Sequence, residues 1–168
     1  MSLSGVSRSI RHRKMIFRAA AAAIVAVLTG AIVFGQAGAE ENRFRFPEGF
    51  EKGVHYATVK RGNIVEELFT SQAAVDAAKA GQPLPAGTVI TMTDTRDGML
   101  YRYIVMEKGE GWGQDVSAES RTGDWQFQWF NPDKTVNSAA NMARCQSCHV
   151  SQSGNDFVWT YDRMKSNP

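Results

Sequence analysis

Apolar and polar positions alternate along five short stretches of the chain, residues 54–60, 64–70, 88–93, 99–107 and 125–130, each rich in β-branched and aromatic side chains. A period of two is the mark of a strand with one buried face. Gly62-Asn63 can turn the first pair of strands, and the Asp97-Gly98 step favours a tight hairpin between the third and fourth. Between the second and third stretches the period lengthens. Ser71 can cap a helix running through Ala73, Ala74, Val75, Ala77 and Ala78, with Gly81 where a helix-ending glycine belongs and Pro83 and Pro85 preventing continuation.

Residues 108–123 are rich in glycine and charge and read as a long loop across the sheet or over a pocket. Asn131-Pro132-Asp133 is a turn. A second helix is expected over 139–149, starting from Asn137 or Ser138, and residues 157–161 form a last apolar segment that could be strand or helix. Residues 40–53 are polar, carry Gly and Pro, and read as an N-terminal arm. The pattern predicts an α+β domain over 54–168, a mainly antiparallel sheet of about five strands with two helices.

The first 39 residues follow a different logic. Arg8, Arg11, Arg13, Lys14 and Arg18 precede an uncharged, largely apolar run over residues 19–34, and Ala37-Gly38-Ala39 then offers a small-residue cleavage site. That is the three-part layout of a secretory signal peptide, which predicts a periplasmic protein. A retained membrane anchor is the rival reading, although the apolar run is short for it. Five of the 19 basic residues lie in this segment and none of the 17 acidic ones, so the remainder carries 14 against 17, a net charge of −3. The overall charge of +2 therefore belongs to the export segment, and no basic stripe is left for nucleic acid.

The chemistry sits near the other end, in Cys145-Gln146-Ser147-Cys148-His149. Two thiols three residues apart can add to the two vinyl groups of one porphyrin, and the following imidazole can reach its iron from the same side. Cys145 and Cys148 thus predict one covalent haem c per chain, near the C-terminus, with His149 as metal ligand. A thioredoxin-like pair is the competing reading, but such a pair opens a helix after a strand in a βαβ setting that this pattern lacks. A structural zinc site needs four ligands, and His55 is the only further histidine beyond residue 39.

The opposite face of the iron is less defined. His55 reads as an exposed strand residue. Met92, Met99, Met106, Met142 and Met164 are the thioether candidates; Met92 and Met106 lie within strands, where methionine commonly fills core. An open or water-filled sixth site walled by aromatics is the remaining expectation. Trp125, Phe127 and Trp129 share one strand face, as core or as haem wall. Glu66, Glu67 and Lys108 could relay protons but read more simply as a solvated sheet edge.

Several strings together resemble the cytochrome P-460 family, whose relatives include the cytochromes c-prime-beta. They are Gly81-Gln82-Pro83-Leu84-Pro85-Ala86-Gly87-Thr88-Val89, Met106-Glu107-Lys108 leading to Gly111-Trp112-Gly113, the strand at Trp125, and the late C-x-x-C-H followed by Asn155-Asp156-Phe157-Val158. The resemblance spans roughly Tyr56 to Met164. It implies a mostly β fold, usually a homodimer, with His149 as proximal ligand and a distal side able to bind small nitrogen species such as nitric oxide. Hydroxylamine-oxidising members add a lysine joined to the haem edge on the strand after the Gly-Thr-Val string. Here Met92 occupies that place, and Val65 falls near the position of a distal arginine by a looser match. The resemblance therefore points to a cytochrome that binds a small gaseous or nitrogenous ligand, or passes electrons to a redox partner, over one that oxidises hydroxylamine.

Overall fold

A computed structural model describes residues 44–168. The expected export segment at 1–39 lies outside the described residues. Five strands, β1 (Val54–Arg61), β2 (Ile64–Thr70), β3 (Val89–Arg96), β4 (Met99–Lys108) and β5 (Trp125–Phe130), form one antiparallel sheet in the order β1-β2-β3-β4-β5. The turns follow their residues. Gly62 alone has a positive φ in the first hairpin, whereas Asp97 and Gly98 both do in the tight loop from β3 to β4. These are the backbones whose twist matches the flanking strands.

Helix α1 (Gln72–Lys79) begins as expected, with the Ala74 amide donating to Ser71 Oγ at 3.2 Å. Its Ala74, Val75 and Ala78 are fully buried, and Gly81 at φ +68° ends it. The second helix is shorter than the sequence predicts. α2 spans Ala143–His149, because Asn137 and Asn141 each take a backbone amide two residues on and so hold 137–142 in turns. The apolar segment at 157–161 is a turn that enters a third helix, α3 (Tyr161–Lys165).

Each face of the sheet carries its own core. On the front, Leu68, Ile90, Met106 and Phe127 pack with α1 and with Val158, Tyr161 and Met164 from the C-terminal segment. On the back, Tyr103, Val105 and Phe130 are covered by Phe44, Phe46 and Phe50. The residues read as a polar arm therefore supply the lid of the second core. Phe46 meets Tyr103 and Phe130 edge-on, with centroids 4.9 and 5.4 Å apart.

One irregularity positions the site. β3 and β4 lose register between Asp94 and Thr95, leaving Tyr101 as the extra residue. Leu100 consequently packs on the back core while Arg102, two positions on, faces the front.

Candidate haem site

The front face is only partly filled by side chains. Between it and the C-terminal helices lies a cavity of about 1120 Å³. The sheet gives it an apolar floor from Leu68, Ile90, Met92, Ile104 and Met106, with Trp129 at the side. The facing wall is α2, which brings Met142, Cys145, Cys148 and His149 to the same space.

The floor is graded along the strands. At the hairpin end stand Arg61, Glu66, Arg96 and Arg102, while Arg144 and Arg163 line the cavity from the helical side. Asp94, fully buried, lies beneath this end; its carboxylate accepts from Arg102 Nε at 2.6 Å and from Arg96 at 3.1 and 3.2 Å. Burial alone would raise the Asp94 pKa. The hydrogen bonds and charges of the two guanidinium groups outweigh it and hold the carboxyl below the ordinary range. Toward the other end the lining turns aliphatic and aromatic.

His149 sits at that apolar end. Its ring lies 4.8 Å from the ring of Phe127, which is paired with Met106 across β4 and β5. His149 Nδ1 is 2.7 Å from the Phe157 carbonyl oxygen. A carbonyl only accepts, so Nδ1 carries the proton and Nε2 keeps its lone pair. Burial pushes the His149 pKa down, partly opposed by this hydrogen bond. A neutral imidazole with an oriented second nitrogen is what a metal ligand needs.

Both cysteines are free thiols; Cys145 is half-buried, its pKa pushed up by burial, and Cys148 is exposed. Among the described residues no group of three or more His, Cys, Asp or Glu could hold a metal ion by itself. The residues fit a haem. The space is far larger than an ion, the thiols and the imidazole come from one wall, and the lining is apolar at one end and cationic at the other. A porphyrin with vinyl groups and two carboxylates has matching edges.

A family model described as Cytochrome P460 matches residues 47–160. The chain belongs to the cytochrome P460 family. No curated protein matches it significantly. Membership makes this a haem cytochrome, and Cys145, Cys148 and His149 are the residues that would hold the group.

The remaining candidates divide clearly. Met92 and Met106 both line the cavity, Met106 nearly buried. Met142 lines it too, but Met99 is exposed and Met164 is buried in the front core away from it. His55 stands outside, exposed against Phe69 and within 3.3 Å of Thr58 Oγ1. Trp125 and Phe127 are core, and Trp129 is cavity wall, so that one strand face serves both purposes. The loop after Lys108 does not cover the cavity: it folds as a short 3-10 turn, Trp112–Asp115, whose tryptophan meets Phe44 edge-on.

Two expectations are corrected. Glu66 is 6 % exposed in the cavity lining and bonded to Arg61, so it is not a solvated edge residue. Lys108 is likewise enclosed, bonded to Asp156. In both cases the partner that makes burial tolerable was not adjacent in the pattern. The arginines lining the cavity were also missed by sequence reasoning; Arg61, Arg96 and Arg102 stand an even number of residues from the apolar lining residues Val59, Met92 and Ile104 of their own strands, and Arg144 and Arg163 on the helices carry no such signal.

Proposed function

We propose that this cytochrome P460-family chain is an exported, periplasmic mono-haem c-type cytochrome that binds nitric oxide or a related small nitrogenous ligand. Cys145 and Cys148 form the thioether links, and His149 Nε2 is the proximal ligand. When bound, the haem would supply an iron able to change oxidation state and to hold a small molecule. The chain supplies the rest. Phe157 fixes the histidine tautomer, the aliphatic floor keeps bulk water from the reacting side, and the arginines at the hairpin end take the carboxylates of the porphyrin.

The lining at Met92 carries this reading. Among the described residues no lysine lines the cavity, and a methionine stands where the resemblance puts the haem-linking lysine. A thioether cannot make that link, which counts against hydroxylamine oxidation. Absorption spectra of the reduced protein with and without nitric oxide test the proposal. A high-spin spectrum that changes on adding the gas supports it; a low-spin spectrum indifferent to the gas overturns it.

A second reading draws on the same residue. Met92 or Met106 as sixth ligand would make the protein a plain electron carrier that serves a redox partner, with nothing else binding the iron. Turnover of hydroxylamine with an electron acceptor would instead restore the oxidoreductase reading.

A further inference from the structure

Behind His149 the backbone adopts a conformation that needs explaining. Asp156 and Phe157 are consecutive non-glycine residues with positive φ, +50° and +61°. Each such residue costs about 1–2 kcal/mol relative to the right-handed region, so the surrounding structure has to hold the pair in place. The Phe157 carbonyl presented by this turn is the one that accepts from His149 Nδ1.

The holding contacts are specific. The Asp156 carboxylate accepts from Lys108 Nζ at 2.9 and 3.0 Å and from the Leu84 amide at 2.8 Å. Lys108 Nζ also donates to the Leu84 carbonyl at 2.8 Å. Both charged side chains are largely enclosed, at 15 and 13 % exposure. The Leu84 side chain is buried beneath them. The end of β4, the 82–85 loop and the turn at Asp156 are thereby tied at one point. Gly123 adds clearance: a Cβ there would meet the Phe157 ring at 2.9 Å. Neither Lys108 nor Asp156 lines the cavity.

We propose that Lys108 and Asp156 are positioning residues for His149: their ion pair, anchored on Leu84, locks the Asp156-Phe157 turn so that the Phe157 carbonyl stays aimed at Nδ1. The inference rests on His149 being the proximal ligand. A held Nδ1–H···O bond increases the basicity of Nε2, which strengthens its bond to iron and favours the oxidised state. With the anchor gone, the turn relaxes toward ordinary φ, the carbonyl swings away, and the histidine becomes a weaker donor.

The test uses holoprotein and reads the midpoint potential, the iron–histidine stretching band of the reduced form and the thermal midpoint. The decisive variant is Lys108→Met with Asp156→Asn, which removes the pair without altering net charge. It should shift the potential positive and the iron–histidine band to lower frequency. Lys108→Arg, which keeps the pair, should leave both close to the parent values. If the double variant does not fold, Asp156→Asn alone retains an acceptor for the Leu84 amide, and the band position decides. A lowered thermal midpoint with potential and band unmoved would reduce the pair to a structural tie and overturn the proposal. A parent protein without a histidine-ligated haem would overturn the underlying site reading as well, so the two failures are distinguishable.

Discussion

The imidazole of His149 lies 4.8 Å from the ring of Phe127, the two planes inclined at 60°. Phe127 is 3 % exposed and belongs to the front core. The His149 side of the site is therefore built against the buried front core at the edge strand β5, and His149 is held by one hydrogen bond and one aromatic face. Cys145 and Cys148 precede it on the same short helix, α2.

Covalent attachment is tested at those two positions. Cys145→Ser with Cys148→Ser should give a protein whose haem passes into acidified organic solvent, whereas the parent retains it. Haem that stays with the doubly substituted chain would contradict thioether linkage.

Met92 is half-buried in the floor of the cavity. Met92→Leu conserves volume and should cost less than about 1.5 kcal/mol. On the ligand-binding reading the haem spectrum is unchanged. Conversion of a low-spin haem to high spin by the same change would make Met92 the sixth ligand.

Asp94 gives a prediction about pH. Its folded pKa is depressed by Arg96 and Arg102 against the opposing effect of burial. The stability it contributes is thus complete above the ordinary carboxylate pKa, about 3.9, and is lost as pH falls through the lower folded value. Asp94→Asn should destabilise the protein at neutral pH by about 2–3 kcal/mol, from the loss of hydrogen bonds to charged partners. Its stability should also fall less steeply below pH 4. Urea titrations from pH 3 to 7 check both, and parallel curves would refute the ion-pair account.

The back core predicts that residues before β1 matter for folding. Phe46→Ala removes a half-buried ring that meets Tyr103, Phe130 and Phe50. It should cost about 2 kcal/mol, below the range for a fully buried phenylalanine. An unchanged urea midpoint would show that the segment only rests on the sheet.

The strands were legible because alternation and turn residues agree: Gly62-Asn63 and Asp97-Gly98 fix two hairpins whose registers then follow. The grouping of Cys145, Cys148 and His149 was legible because their spacing puts all three on one helix, where the structure brings them to the same cavity. What could not be read are relations that depend on an irregularity or on distance along the chain. The bulge at Tyr101 puts Leu100 and Arg102 on opposite faces, against simple alternation. Asn137 and Asn141 shorten a helix whose composition permits a longer one. Lys108 and Asp156 are 48 residues apart, and nothing local announces that they meet. Their strings nonetheless carried the resemblance: the stretches at Leu84, Lys108 and Asp156 converge at one point behind His149.

The strand order has a consequence for how such a protein matures. Every strand pairs with its sequence neighbour, so its pairings are local along the chain and the sheet can assemble early. The segment with the two thiols and the imidazole follows all five strands, and Val158, Tyr161 and Met164 complete the front core only after it. A chain emerging N-terminus first would thus display an open sheet before the segment from Cys145 to His149 follows. On the proposed reading, attachment at Cys145 and Cys148 falls in the interval between completion of the sheet and burial of Val158, Tyr161 and Met164.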